Sequence, residues 1–225
     1  MKKALFFGDS NTYGYDPAGF MGGRYPYEKR WTTILGDRLG QAWEIASDGL
    51  PGRATPATRR EWDILCGSVQ KQMPLALFAV MLGTNDLLST LRPDAARTAR
   101  RMNDLISVVE ETLQGFSAEE TLQGSPTEIL LIAPPEIRLT AESYGEPYVR
   151  GDKTYAQIYY EEGKKLAEYY SELADYRGIR FADASQWDLD FAFDGVHLSE
   201  EGHAAFAREM EKVLREIDSF SRSER

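Results

Sequence analysis

The sequence predicts a doubly wound α/β domain, a parallel sheet covered by helices on both faces. Three observations predict it. Short apolar runs alternate with longer amphipathic stretches from one end of the chain to the other. No Pro/Gly/Ser-rich linker, internal repeat or low-complexity tract divides residues 1–225, so they read as a single domain. With 42% hydrophobic and 12% aromatic residues, 225 residues suffice to bury one substantial core.

Each element has its own signal. Apolar runs at Ala4 to Phe7, Trp43 to Ala46, Leu75 to Leu82 and Ile129 to Ala133, with a weaker one around Ile179 to Ala182, give five strands. Helices are expected at Trp31 to Leu39, within Pro56 to Gln72, and at Asp94 to Leu113, Tyr155 to Tyr176 and Glu200 to Ile217. In the third, Met102, Leu105, Ile106, Val109 and Leu113 fall on one face. The last starts after Ser199, a good N-cap, and carries Glu200 and Glu201 in its first turn, where the helix dipole favours negative charge. Asp16 to Glu28 and Pro134 to Thr154 read as long loops; loops of that length in a compact fold are often functional, and a peripheral hairpin or an oligomer contact is the alternative.

Composition excludes several classes. Twenty-six Lys and Arg against 36 Asp and Glu give a net charge of −10, so attraction to nucleic acid or to anionic lipid is not expected. The apolar stretch after Lys2-Lys3 is too short for a signal-peptide core, and no segment approaches the roughly 18 apolar residues of a spanning helix. A protein without membrane contact that stays in the cytoplasm is the expectation. Cys66 is the only cysteine, so no intrachain disulfide forms. With two histidines, His197 and His203, a His-rich metal site has little to draw on.

In an open parallel sheet, sites form outside the carboxyl ends of the strands. The residues just after each apolar run are therefore informative. The segments are Gly8-Asp9-Ser10-Asn11, Asp48-Gly49-Leu50-Pro51-Gly52-Arg53, Gly83-Thr84-Asn85-Asp86 and, before the last helix, Phe193-Asp194-Gly195-Val196-His197. Ser10 stands at a strand-to-helix junction; alone it reads as an N-cap, and as a nucleophile it needs a base. Asp194 and His197 supply one: three residues of separation in a turn let the carboxylate reach Nδ1 while Nε2 points to a nucleophile. His203 lies within the last expected helix rather than in a turn and reads as structural or surface. Acyl transfer also needs oxyanion donors. Asn85 offers a side-chain amide, and Gly52 and Ser10 offer backbone N–H groups, although Gly52 and Asn85 also suit plain turn chemistry.

In this order the segments resemble the four sequence blocks of the SGNH (GDSL-type) esterases and lipases, from residue 8 to residue 197. Thr12-Tyr13-Gly14 and Arg30-Trp31 are similar to the arylesterase and acyltransferase branch. The resemblance implies a three-layer α/β/α sandwich with a five-stranded parallel sheet, flavodoxin-like in its winding. It implies Ser10 as nucleophile, His197 as general base and then acid, and Asp194 as its orienting partner. Ser10, Gly52 and Asn85 would form the oxyanion hole, Asp9 would brace the Ser10 loop and Asp86 the Asn85 turn. The substrate would be a small-molecule ester with a small acyl group, with transfer to alcohols as a second outcome. No metal or organic cofactor is called for, and a homo-oligomer stays open. Asn11 departs from the leucine of the family name and is expected to affect packing or pocket shape more than chemistry. Gly52 stands where acyltransferases of the branch carry a small non-glycine residue. No Gly-x-Ser-x-Gly elbow is present.

Two rivals use the same rim. A metal-dependent phosphoesterase would hold cations on Asp9, Asp86, Asp194 and His197. A non-enzymatic nucleotide or phosphate binder would need a Gly-x-Gly-x-x-Gly or Walker A pattern, and neither occurs.

Overall fold

The computed structural model describes residues 1–19, 23–116, 126–139, 149–151 and 153–223. The chain begins with β1 (Lys2–Gly8), a one-turn helix α1 (Ser10–Tyr13) and a short antiparallel pair, β2 (Tyr15–Asp16) with β3 (Gly23–Arg24). It continues through α2 (Trp31–Leu39), β4 (Trp43–Gly49), α3 (Arg59–Gln72), β5 (Leu77–Met81), α4 (Thr84–Leu88) and α5 (Ala95–Gln114). Then come β6 (Glu128–Ala133), the pair β7 (Val149–Arg150) and β8 (Lys153–Thr154), α6 (Tyr155–Arg177), β9 (Arg180–Asp183) and α7 (Glu200–Ser223).

Five strands form one parallel sheet in the order β4-β1-β5-β6-β9. From β1 the chain first goes to one side for β4 and then crosses to the other for β5. That reversal opens a crevice at the carboxyl ends of β1 and β5. The doubly wound expectation therefore holds, with strand limits shifted by a residue or two except for β4, which runs on to Gly49.

Alternation along each central strand divides the core in two. Leu5 and Phe7 of β1, Phe78 and Val80 of β5, and Leu131 of β6 face a layer made by α3, α5 and α6. Ala4 and Phe6, Leu77 and Ala79, and Leu130 and Ile132 face α2 and α7. In α7, Phe206, Met210 and Leu214 recur every four residues and are fully buried. At about 1.5–3 kcal/mol for each large apolar side chain removed from water, this stripe outweighs differences in helix propensity. Local signals set the helix starts. Thr58 with Glu61 and Thr154 with Gln157 form capping boxes on α3 and α6, and Asp94 Oδ1 accepts the Arg97 N–H at 2.9 Å on α5. Ser199 Oγ accepts the Gly202 N–H at 3.0 Å, as expected of the cap of α7.

In the Asp16 to Glu28 loop, Asp16 pairs with Gly23 in the short β2-β3 hairpin, and residues 20–22 lie outside the described residues. Of the Pro134 to Thr154 loop, residues 140–148 and 152 lie outside the described residues. Among the described residues no helix is long and apolar enough to cross a membrane.

Candidate active site

Ser10 opens α1 directly after β1. The capping role goes to its neighbour: Asp9 Oδ1 accepts the Asn11 N–H at 3.0 Å, which leaves the Ser10 hydroxyl uncommitted to the backbone. Ser10 is only 6% exposed, and its hydroxyl lies 2.9 Å from His197 Nε2. His197 Nδ1 in turn lies 2.5 Å from Asp194 Oδ2. A proton on Nδ1 shared with the carboxylate leaves Nε2 as the acceptor for the serine O–H.

The turn that carries Asp194 and His197 is fixed from several sides. Asp194 Oδ1 accepts the Val196 and His197 N–H groups, both at 3.0 Å. Gly195 sits at φ 68°, and a Cβ there would stand 1.7 Å from the Arg138 carbonyl oxygen. Only glycine tolerates both the backbone angle and the contact. The Arg138 N–H then donates to the Gly195 carbonyl at 2.7 Å, tying this turn to the segment after β6. The Tyr15 ring lies 4.6 Å from the His197 ring, centroid to centroid, and walls one side of the imidazole.

The second and third segments meet through Arg53 and Asn85. Asn85 Nδ2 donates to the Arg53 carbonyl at 3.0 Å, so the amide is held against the turn headed by Gly52, which is exposed at φ 77°. An amide has two N–H bonds, and this contact uses one. Arg53 ties its turn to the strand ends: Nη1 donates to the Gly8 carbonyl at 2.9 Å and Nη2 to Asp48 Oδ1 at 2.8 Å, while the guanidinium lies over the Phe7 ring. Asp86 braces the neighbouring turn rather than its own. Its carboxylate accepts the Thr55 N–H at 3.0 Å and the Thr55 hydroxyl at 2.5 Å, with Arg101 at 3.4 Å, because α4 directs it into the buried crossing with residues 53–55. Neither Arg53 nor Thr55 stands out by residue type, and Tyr15, just before an expected loop, gives no signal of its own.

Burial sets the electrostatics. Desolvation raises the Asp9 carboxyl to about 6, against the opposing pull of the Asn11 N–H and of the nearby His197 and Arg53. Desolvation also pushes Asp194 upward, but its hydrogen bonds from the His197 ring and from the His197 and Val196 N–H groups outweigh that and hold it below the usual range. His203 is fully buried beside the Tyr25 ring, and burial drives it down to about 4. Among the described residues no group of three or more His, Cys, Asp and Glu is placed to hold a metal ion. Of the four residues that the phosphoesterase rival would use, Asp86 is turned away to Thr55 and Arg101.

The sequence profile of the GDSL-like Lipase/Acylhydrolase family matches residues 6–205. No curated protein sequence matches significantly. Among solved structures, a proposed arylesterase from Agrobacterium tumefaciens str. C58 is 32% identical, covering 96% of this chain and 100% of that one, with a TM-score of 0.77. Est24, a carbohydrate acetylesterase from Sinorhizobium meliloti, is 28% identical over 96% and 100%, with a TM-score of 0.76. The M. smegmatis aryl esterase, 24% identical over 96% and 99% at a TM-score of 0.76, shares the fold. With a matching profile over most of its length and the same three-layer fold, the chain belongs to the GDSL-like lipase/acylhydrolase family of carboxylic ester hydrolases.

Proposed function

We propose that this enzyme is a serine esterase acting on small-acyl, acetyl-type carboxylic esters through an acyl-enzyme. The observation that carries the reading is the unbroken line of hydrogen bonds from Ser10 Oγ to His197 Nε2 and from His197 Nδ1 to Asp194. A serine hydroxyl attacks a carbonyl only when a base takes its proton in the transition state. His197 takes that proton as Ser10 attacks the ester carbonyl, and Asp194 stabilises the imidazolium that results. His197 then gives the proton to the departing alcohol. Water, deprotonated by His197 in the second half, releases the acid and restores Ser10.

Negative charge develops on the former carbonyl oxygen, and fixed donors at that point lower the barrier. The Ser10 N–H at the start of α1, the Gly52 N–H and the second N–H of Asn85 Nδ2 take this role. Asp86 contributes by holding the Thr55 segment, and through it the Gly52 turn. Asp9 contributes by capping α1 and so fixing Ser10.

The small-acyl preference is supported by the confined position of Ser10, by the Tyr15 ring against His197, and by the similarity to a carbohydrate acetylesterase and a proposed arylesterase. A panel of p-nitrophenyl esters from acetate to laurate tests it, with a sharp fall beyond butyrate expected; a preference for laurate overturns it. Adding an alcohol acceptor to the same assays measures acyl transfer directly. Ser10→Ala is expected to abolish acetate ester turnover, and wild-type activity in that variant would falsify the mechanism.

A further inference from the structure

We infer that Asn11 is a positioning residue that sets the register between the nucleophile and the base; the inference rests on the roles of Ser10 and His197 proposed above. Those two side chains come from elements 187 positions apart, α1 and the turn leading to α7. A single hydrogen bond between them is a weak tether. Asn11 adds a second and third. Its Nδ2 donates to the Val196 carbonyl at 3.1 Å, and its Oδ1 accepts the Leu198 N–H at 2.9 Å. The two backbone groups it holds flank His197 on either side, so one planar amide grips the base-bearing segment across the catalytic residue.

Asn11 is itself anchored. Its N–H donates to Asp9 Oδ1 at 3.0 Å, and its carbonyl accepts the Trp31 indole N–H at 2.9 Å. Trp31 is packed edge-on to Phe6, with centroids 5.0 Å apart, and against Phe206 at 4.7 Å. Through these contacts the rigidity of the core between β1 and α7 reaches His197. A leucine at this position fills similar space but offers no polar atom. It leaves the buried Leu198 N–H and the part-buried Val196 carbonyl without their partner, and the turn must shift to recover one. The turn keeps other ties, the Arg138 N–H to the Gly195 carbonyl at 2.7 Å and the Ala192 N–H to the His197 carbonyl at 2.8 Å. Loss of Asn11 therefore displaces His197 without releasing the whole segment.

The test uses the full chain, with Asn11→Leu and Asn11→Ala beside wild type and Ser10→Ala, each checked for folding by circular dichroism and thermal melting. A displaced base misaligns the proton transfer, so kcat for p-nitrophenyl acetate is expected to fall about 10- to 100-fold while KM stays within about threefold. The rate of Ser10 labelling by an organophosphonate is expected to fall in parallel. Asn11→Ala only removes atoms, so it carries the test if the leucine variant does not fold. A folded variant with wild-type kcat, or a loss carried by KM alone, overturns the positioning role. These outcomes are separable from failure of the esterase reading: if Ser10→Ala keeps full activity, the reading of the site fails; if Ser10→Ala is dead and both Asn11 variants are normal, only the role of Asn11 fails.

Discussion

His197 and His203 stand six residues apart, one in the turn before α7 and the other in its first turns, and their surroundings are opposite. His197 lies at the sheet rim with both ring nitrogens engaged, one toward Asp194 and the other toward Ser10. His203 is sealed between Tyr25 and Trp31. Its Nδ1 faces the Trp31 N–H at 3.4 Å, and its Nε2 has no partner among the described residues. The difference teaches what makes an imidazole useful here. A base needs a carboxylate to hold the tautomer and offset the charge that it acquires, together with a nucleophile within reach. Burial without an acid gives the reverse, a ring kept neutral because charging it has no compensation.

Exchanging the fates of the two rings breaks the comparison. His197→Ala is expected to lower kcat for acetate esters by about 10⁴- to 10⁶-fold, because a serine without its base retains only binding and oxyanion stabilisation. His203→Gln is expected to leave kcat within about threefold, since it touches no reacting atom. Comparable losses from both variants would erase the distinction. The next largest effect belongs to the acid. Asp194→Asn keeps the shape but offers the ring the wrong hydrogen-bonding partner, and a loss of about 10⁴ in kcat is expected. Steady-state kinetics decide it, and a loss below tenfold would mean that the backbone ties of the turn, not the carboxylate, orient the ring.

Much of this difference is legible in the sequence. Asp194-Gly195-Val196-His197 has the spacing a turn needs to bring acid to base, whereas His203 falls inside the last helix. The five strands and five long helices are legible because burial writes an apolar run into the central strands, a shorter one into the edge strands, and a periodic stripe into each helix. The four-residue α1 and five-residue α4 are not, since a helix of one turn has no period to detect. Asn11 reads as a packing residue in the sequence, because its partners are the backbone groups of Val196 and Leu198, and backbone groups carry no sequence signal. The family resemblance implies that Asp86 braces the Asn85 turn, whereas its partner Thr55 is 31 positions away, a pairing that sequence spacing does not signal. The Arg30-Trp31 pair does mark the place where the core reaches Asn11, but through the indole N–H, a role its residue type permits and does not announce.

The smallest effect expected is on stability, and it turns on the sign of two opposed shifts. His203 has an ordinary value of 6.5 and sits near 4 when folded, so between these values the unfolded chain binds a proton that the folded chain does not. Its contribution is complete above 6.5 and is lost as pH falls through 4; by linkage it amounts to about 3 kcal/mol. Asp9 runs the other way. Its carboxyl rises from 3.8 to about 6, so the folded chain holds the extra proton, and its contribution is complete below 3.8 and lost as pH rises through 6. Over the window from about 4 to 6 the two slopes oppose and largely cancel in the wild type. Replacing His203 with glutamine, which does not titrate, removes one of them. Urea midpoints measured across that window are expected to decline with rising pH in His203→Gln relative to wild type, and to climb with rising pH in Asp9→Asn. Identical slopes in all three proteins would show that neither group is buried in the state assigned to it, and the contrast between the histidine proposed as base and the sealed one would lose its electrostatic basis.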